Sequence, residues 1–267
     1  MATNPESRRH VFHRLAIHLA IRLAILLAVI LCAPAASPAQ TATPVTVPFV
    51  GCRSDGQVGA LKAPHGSPKS VRIPAAIAQQ LAFYKAAYGV GVLAPRGWFC
   101  FGVYGSSGEA LYVSPTPLSS ATVLSTAWKG FSGPAIQLSV DIGDTSGRFE
   151  VASIINRVFP GHKKFADDVI TDGLQSRSYF PTGPYPKDKL IYKGADIVEY
   201  QTPAHTEGLG TRSRLQQNGD PIRGVVILYG PDTDLIHLSQ RLPANLTSLS
   251  ATIVQQVERD LAGPQHD

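Results

Sequence analysis

Charge and sulfur are both scarce in this chain. Only 16% of its 267 residues are Asp, Glu, Lys or Arg, and it holds three cysteines, two tryptophans and one methionine. Each shortage closes off a class of function. Cys32, Cys52 and Cys100 never fall in a C-x-x-C pair, so no thiolate metal site is written into the sequence. No long block of like charge is present, which argues against a nucleic-acid partner, since that would need a clustered basic face. Internal repeats and heptad runs are absent as well. The longest uninterrupted apolar run, from Leu23 to Ala33, is 11 residues. A bilayer span needs roughly 20.

That short run is informative for what surrounds it. Arg8, Arg9, Arg14 and Arg22 lie before it, and Ala36-Ser37-Pro38-Ala39 follows, then Gln40. A positive leader, an apolar stretch and small residues at the −3 and −1 positions (Ser37 and Ala39) predict a bacterial-type export signal over residues 1–39, cleaved before Gln40. An uncleaved anchor is the alternative. Ser7-Arg8-Arg9-His10-Val11-Phe12 has the outline of a twin-arginine signal. The very apolar Leu26, Leu27, Val29, Ile30 and Leu31 suit the unfolded-chain route better. The expected location is therefore periplasmic or secreted, with membrane contact only transiently, through the signal.

Cleavage changes the charge balance. The chain has 24 Lys+Arg against 19 Asp+Glu; four Arg and one Glu fall in the first 39 residues, which leaves 20 against 18, a net charge of +2. The remaining 228 residues can bury a substantial core. They are expected to form a single exported α+β domain over residues 40–267. In an oxidising compartment Cys52 and Cys100 are expected to form one disulfide. Two free buried thiols are the rival reading.

Periodicity and turn signals supply a coarse fold. Residues 40–48 read as an extended lead-in and 51–70 as a Gly/Pro/Ser-rich loop. Ile77, Leu81, Tyr84 and Tyr88 share a face at helical spacing, which predicts a helix over 73–88. Hairpins are expected over 98–104 and 110–114, over 190–192 and 197–200, and over 222–229 and 235–242. A strand is expected at 135–142, and short helices at 120–128, 149–158 and 163–172. The Pro/Gly-rich stretch 173–187 reads as an internal loop. Leu249, Ile253, Val257 and Leu261 predict a C-terminal amphipathic helix over 248–262. Strands arriving in adjacent pairs point to an α+β fold: a mainly antiparallel sheet built from hairpins, covered by four to five helices.

Several motifs are approached and missed. Gly89-Val90-Gly91-Val92-Leu93-Ala94 matches a dinucleotide-binding string, but it follows an expected helix, and Pro95 stands where the phosphate-binding helix would continue. It reads as a helix end and a turn. Gly105-Ser106-Ser107-Gly108 lacks the spacing of a nucleophile elbow. Asp144-Thr145-Ser146-Gly147 departs from the aspartic-protease triplet, and Ser146 as a helix N-cap or Asp144 in a turn explains it. His162 with Asp167 and Asp168 is the nearest approach to a metal cluster, without a second histidine at ligand spacing.

His205-Thr206-Glu207-Gly208-Leu209-Gly210 places an imidazole and a carboxylate in one glycine-rich loop, where His205 and Glu207 are candidates for an acid–base pair. His237 alternates with Leu235 and Ser239 in a strand and reads as structural. Trp98, Tyr104 and Tyr112 are candidate ligand-binding aromatics, although aromatics in a hairpin beside Cys100 are more often core. The expected function is a non-enzymatic binding or accessory module without a cofactor. The alternative is an extracytoplasmic hydrolase using His205/Glu207 or His162/Asp168.

Overall fold

The computed structural model describes residues 44–261; the expected export segment, its cleavage point and Cys32 lie outside the described residues. Short strands β1 (Val45–Val47), β2 (Phe49–Gly51), β3 (Arg53–Gly56) and β4 (Lys69–Val71) open the fold. Helix α1 (Ala75–Ala78) leads to β5 (Leu81–Lys85) and β6 (Val92–Pro95). Next come β7 (Phe99–Gly105), β8 (Gly108–Ser114), α2 (Ser120–Val123) and β9 (Ala135–Asp141). Helices α3 (Arg148–Val158) and α4 (Lys163–Thr171) follow. The chain closes with β10 (Lys189–Tyr192), β11 (Ile197–Thr202), β12 (Ile222–Tyr229), β13 (Asp234–Arg241) and α5 (Ser250–Leu261).

Eight strands form one sheet in the order β10-β11-β12-β13-β9-β8-β7-β3, antiparallel throughout except for the parallel β3–β7 edge. The three hairpins of the sequence supply six of these strands, and β9 joins the first hairpin to the last. A three-stranded sheet, β2-β5-β6, and a two-stranded one, β1-β4, stand apart from it.

Both faces of the large sheet are covered, by different material. On one face Leu111, Val113, Ile136, Leu138, Ile236 and Leu238 pack with the small sheet and with Ile253 and Val257 of α5. On the other, Phe101, Tyr112, Val198, Val226 and Leu235 pack with Val151, Ile155 and Val158 of α3 and Ala166 of α4. Strands buried on both sides read as continuous apolar runs, as Val225-Val226-Ile227-Leu228 does in β12. The period-2 alternation assigns Cys100 to the first core and Phe101 and Val103 to the second.

The helix expected over 73–88 does not form as such. Its start is α1, four residues long, and its second half is β5. Leu81, Ala82 and Tyr84 are buried between partners on both sides, β2 in parallel and β6 antiparallel. The Phe83 amide donates to Pro48 O (2.8 Å) and the Tyr84 hydroxyl to Pro95 O (2.8 Å). Apolar residues four apart fit a helix; the same stretch, aromatic and bracketed by partner strands, is worth more as a strand, so tertiary pairing overrides the local pattern. The string at 89–94 is accordingly the β5–β6 turn and strand β6, and not a helix end. The helix expected at 120–128 stops at Val123, and the loop expected at 51–70 contains β3 and β4. The cap of α3 is Gly147 rather than Ser146.

The disulfide forms as expected. Cys52, just after β2, is bonded to Cys100 of β7, with Cα atoms 5.4 Å apart. It ties the small sheet to the large one.

Candidate functional site

The middle of the large sheet is polar on one face. In the β9–β13 pair Ser139 stands opposite His237, Gln137 opposite Ser239 and Asp141 opposite Leu235. On the other side of β9, Tyr112 faces Gln137, Ala110 faces Ser139 and Gly108 faces Asp141. The intervening residues of β9, Ile136, Leu138 and Val140, turn into the first core. Strand alternation therefore collects Gln137, Ser139, Asp141, His237 and Ser239 on the second face, among side chains that are otherwise apolar. Above this stripe the surface opens into a cavity of about 540 Å³, lined by Tyr112, Gln137, Ser139, Asp141, Glu150, Tyr179, Arg212, Arg214 and His237 among others.

The far wall is the segment that follows β11. Asp188 holds it down: Oδ1 accepts from the Thr202 hydroxyl (2.7 Å) and Oδ2 from the Leu209 amide (2.7 Å). A Cβ at Gly208 would lie 2.1 Å from Asp188 Oδ1, so only glycine permits this approach. Further on, the Phe131 amide donates to Arg214 O (2.6 Å), the Gln216 amide to Phe131 O (2.9 Å) and the Arg214 amide to Gln137 Oε1 (2.7 Å). Beneath this bridge lies Arg241, only 1% exposed. Its guanidinium donates to the carbonyls of Phe131 (3.4 Å), Gly133 (3.2 Å) and Gln216. The fixed segment delivers Arg212 and Arg214 to the cavity. Arg212 grips Glu150 of α3 through both carboxylate oxygens, Nε to Oε1 at 3.1 Å and Nη2 to Oε2. The Tyr179 hydroxyl also reaches Glu150 Oε2, at 3.3 Å. Arg214 forms no ion pair with a described residue and is exposed at the cavity mouth, its guanidinium 5.8 Å from the Trp128 ring.

His237 is held by a buried cluster of hydroxyls. The Tyr200 hydroxyl crosses over Gly224 to lie 2.9 Å from His237 Nε2, 2.9 Å from Leu238 O and 2.6 Å from Ser239 Oγ. Ser239 Oγ also lies 3.2 Å from His237 Nε2, so the three side chains form one buried hydrogen-bonded cluster. The opposite ring nitrogen is Nδ1. No described protein group meets it, and it is not among the sealed, orphaned polar atoms; it opens to the cavity. Gln137 is arranged similarly: Oε1 is occupied by the Arg214 amide and Nε2 has no partner among the described residues. Burial, with Arg212 nearby, pushes the His237 pKa down to about 3, so the ring stays neutral. Burial first, then Glu150 and, across the sheet, Glu109, lift Asp141 to about 7, against a smaller opposing pull from Arg212. The Tyr112 phenol is raised by its burial, with Arg214 pulling the other way.

The residues singled out from the sequence are dispersed. His205 and Glu207 are both exposed and line no cavity described here; His205 has φ +55° and its amide donates to Asn218 O (2.9 Å). His162 Nε2 lies 2.6 Å from Asp196 Oδ1, while Asp168 accepts from Lys164 (2.6 Å), so His162 and Asp168 have separate partners. Among the described residues no group of three His, Cys, Asp or Glu converges as a metal site. Of the aromatics, Tyr112 and Tyr104 line the polar cavity. Trp98 lines a second one, about 580 Å³, between the disulfide and α2. Sequence reasoning missed Gln137, Ser139 and Asp141. The signal was their alternation with Ile136, Leu138 and Val140: polar side chains on one face of a strand whose neighbours are apolar on both. The chain matches no family model, and neither a curated protein nor a solved structure is significantly similar to it.

Proposed function

We propose that the protein is an exported, non-enzymatic binding module whose ligand occupies the cavity over β9 and β13. One observation carries this reading: three polar groups on the cavity floor, His237 Nδ1, Gln137 Nε2 and the Asp141 carboxyl, have no partner among the described residues. They are not sealed but open to the cavity, where a ligand can bond them. The volume falls in the range that holds small-molecule ligands. Export is supported by the N-terminal sequence, and the Cys52–Cys100 disulfide is compatible with an extracytoplasmic location.

The hydrolase reading has one point in its favour, a carboxyl at Asp141 suited to proton exchange near neutral pH. Among the described residues no cavity-lining serine is hydrogen-bonded to the His237 ring. The Ser139 hydroxyl donates to the His237 backbone carbonyl (3.4 Å), not to the ring, and Ser239 is fully buried. A ring at about 3 is also a weak base at neutral pH.

A thermal-shift screen of small polar compounds, run in parallel on wild type and Ser139→Leu, tests the binding reading. Hits lost in the cavity-filling variant are expected. Hits that survive it unchanged would place binding elsewhere. Intact-mass analysis of protein recovered from an exporting host should find Gln40 as the first residue.

A further inference from the structure

We propose that the ligand carries an ammonium group, which pairs with Asp141, on an apolar body that rests against Phe149 and Tyr179. This inference rests on the binding role proposed above and names the ligand class. Position, charge and the apolar wall each support it.

Asp141 ends β9, and its side chain lines the cavity with neither oxygen bonded to a described residue. It is not a sealed orphan. The site around it is built. His237 and Gln137, 4% and 7% exposed, each present to the same cavity a nitrogen without a partner among the described residues. The start of α3 closes over the Asp141 end: a Cβ at Gly147 would lie 2.6 Å from the amide nitrogen of Ile142, the next residue. That approach brings Phe149 and Glu150, in the first turn of α3, into the cavity wall.

Charge is the discriminating feature. The charged side chains that line the cavity are Glu109, Asp141, Glu150, Arg212 and Arg214. Arg212 and Glu150 neutralise each other. Arg214 is hydrogen-bonded to the Tyr112 phenol, at the Gln137 end of the floor. Arg148, beside Phe149, pairs with Asp172 (3.8 Å). Asp141 and Glu109 are left without a cation among the described residues. The groups that face Asp141 are Glu150 on α3, with the Tyr179 phenol bonded to it, Arg212 on the wall segment, neutral His237 on β13 and, through the sheet, Glu109 on β8 with Asp234 beyond it. Burial and the two glutamates disfavour the ionised carboxylate. A ligand hydroxyl or amide donates a hydrogen bond but brings no charge; an ammonium brings both.

The wall completes the fit. Phe149 and Tyr179 line the same cavity. Aromatic rings bury an apolar body, and their faces also attract a cation.

Isothermal titration with phenethylammonium, phenethyl alcohol and phenylacetate tests this, because the three are alike in shape and differ in charge. Wild type, Asp141→Asn and Ser139→Leu are titrated, with butylammonium and spermidine as further amines. Phenethylammonium is expected to bind wild type about tenfold tighter than the alcohol, as a charge-assisted bond does over a neutral one, and phenylacetate to bind more weakly still. Asp141→Asn should remove that preference, and Ser139→Leu should remove binding. Because the amine pairs with the ionised carboxylate, its affinity should rise about tenfold from pH 5.5 to pH 7.5 in wild type and stay flat in Asp141→Asn. By carbon NMR, saturating amine should lower the titration midpoint of the Asp141 carboxyl by about one pH unit. Equal binding of alcohol and amine, an unmoved midpoint, or an amine preference that persists in Asp141→Asn would overturn the ammonium. So would a lack of binding by every amine. The binding role would then stand if neutral or anionic compounds in the wider screen still gave hits lost in Ser139→Leu, and would fall as well if none did.

Discussion

The Tyr200 hydroxyl lies 2.9 Å from His237 Nε2, and together with Ser239 Oγ at 3.2 Å it ties that nitrogen to the core. The approach depends on Gly224, where a Cβ would sit 2.5 Å from the same hydroxyl and 1.8 Å from Leu238 O. Removing the hydroxyl in Tyr200→Phe takes a partner from His237 Nε2, Ser239 Oγ and Leu238 O in a buried cluster, leaving Ser239 Oγ and Nε2 only each other. A loss of about 2 kcal/mol is expected, measurable by urea unfolding. The ring also loses a hydrogen-bond partner at Nε2, so the His237 ring-nitrogen resonances should shift from their wild-type positions.

Asp141 should make the protein less stable as the solution becomes more alkaline. Its folded pKa, about 7, lies above the ordinary carboxylate value of 3.8, so the folded state holds a proton that the unfolded chain has released. Stability from this group is full below about pH 4 and falls as pH rises through 7. Asp141→Asn should therefore be more stable than wild type at pH 8, by an amount on the order of 2–3 kcal/mol, with little difference at pH 4. Chemical denaturation at the two pH values checks this.

His237 acts in the opposite direction. Its folded pKa, about 3, is below the ordinary 6.5, so the unfolded chain takes up a proton that the folded one refuses. Stability is lost as pH falls from 6.5 toward 3. A His237→Gln variant, which cannot charge, should show a shallower loss over that range than wild type, whatever its stability at neutral pH.

Reduction of the disulfide frees a 49-residue loop, counting both cysteines. The chain-entropy relation gives about 4 kcal/mol for such a loop. Cys52→Ser/Cys100→Ser is expected to unfold at correspondingly lower urea, with wild type matching it once a reductant is present.

Arg241 anchors the wall of the cavity through three backbone carbonyls. Arg241→Met removes this donor from the Gly133 and Gln216 carbonyls, while Phe131 O keeps the Gln216 amide, and should cost about 3 kcal/mol. Faster amide exchange at Leu215 and Gln216 is the accompanying sign, because the Phe131–Leu215 bridge loses its support.

The hairpins were legible because each is local: two alternating runs and a turn lie within one window of sequence. The C-terminal helix was legible for the same reason. Residues 81–85 were not: their apolar spacing fits a helix, and although β6 follows closely, Pro48 and β2, which pair them on the other side, lie far back in the sequence. The site was hidden similarly. Gln137 and Asp141 look like ordinary strand polarity until β13 and the segment around Arg214 are laid beside them. His237 reads as structural, and half of it is: Nε2 belongs to the core, while Nδ1 belongs to the cavity.

The most direct test of the binding role is amide and side-chain chemical-shift mapping of the isotope-labelled protein titrated with a pool of short peptides, sugars and small organic acids. Saturable shifts concentrated at Gln137, Ser139, Asp141 and His237 are expected. Shifts confined to Trp98 and Phe99 at the second cavity, or none at saturating concentration, would contradict it.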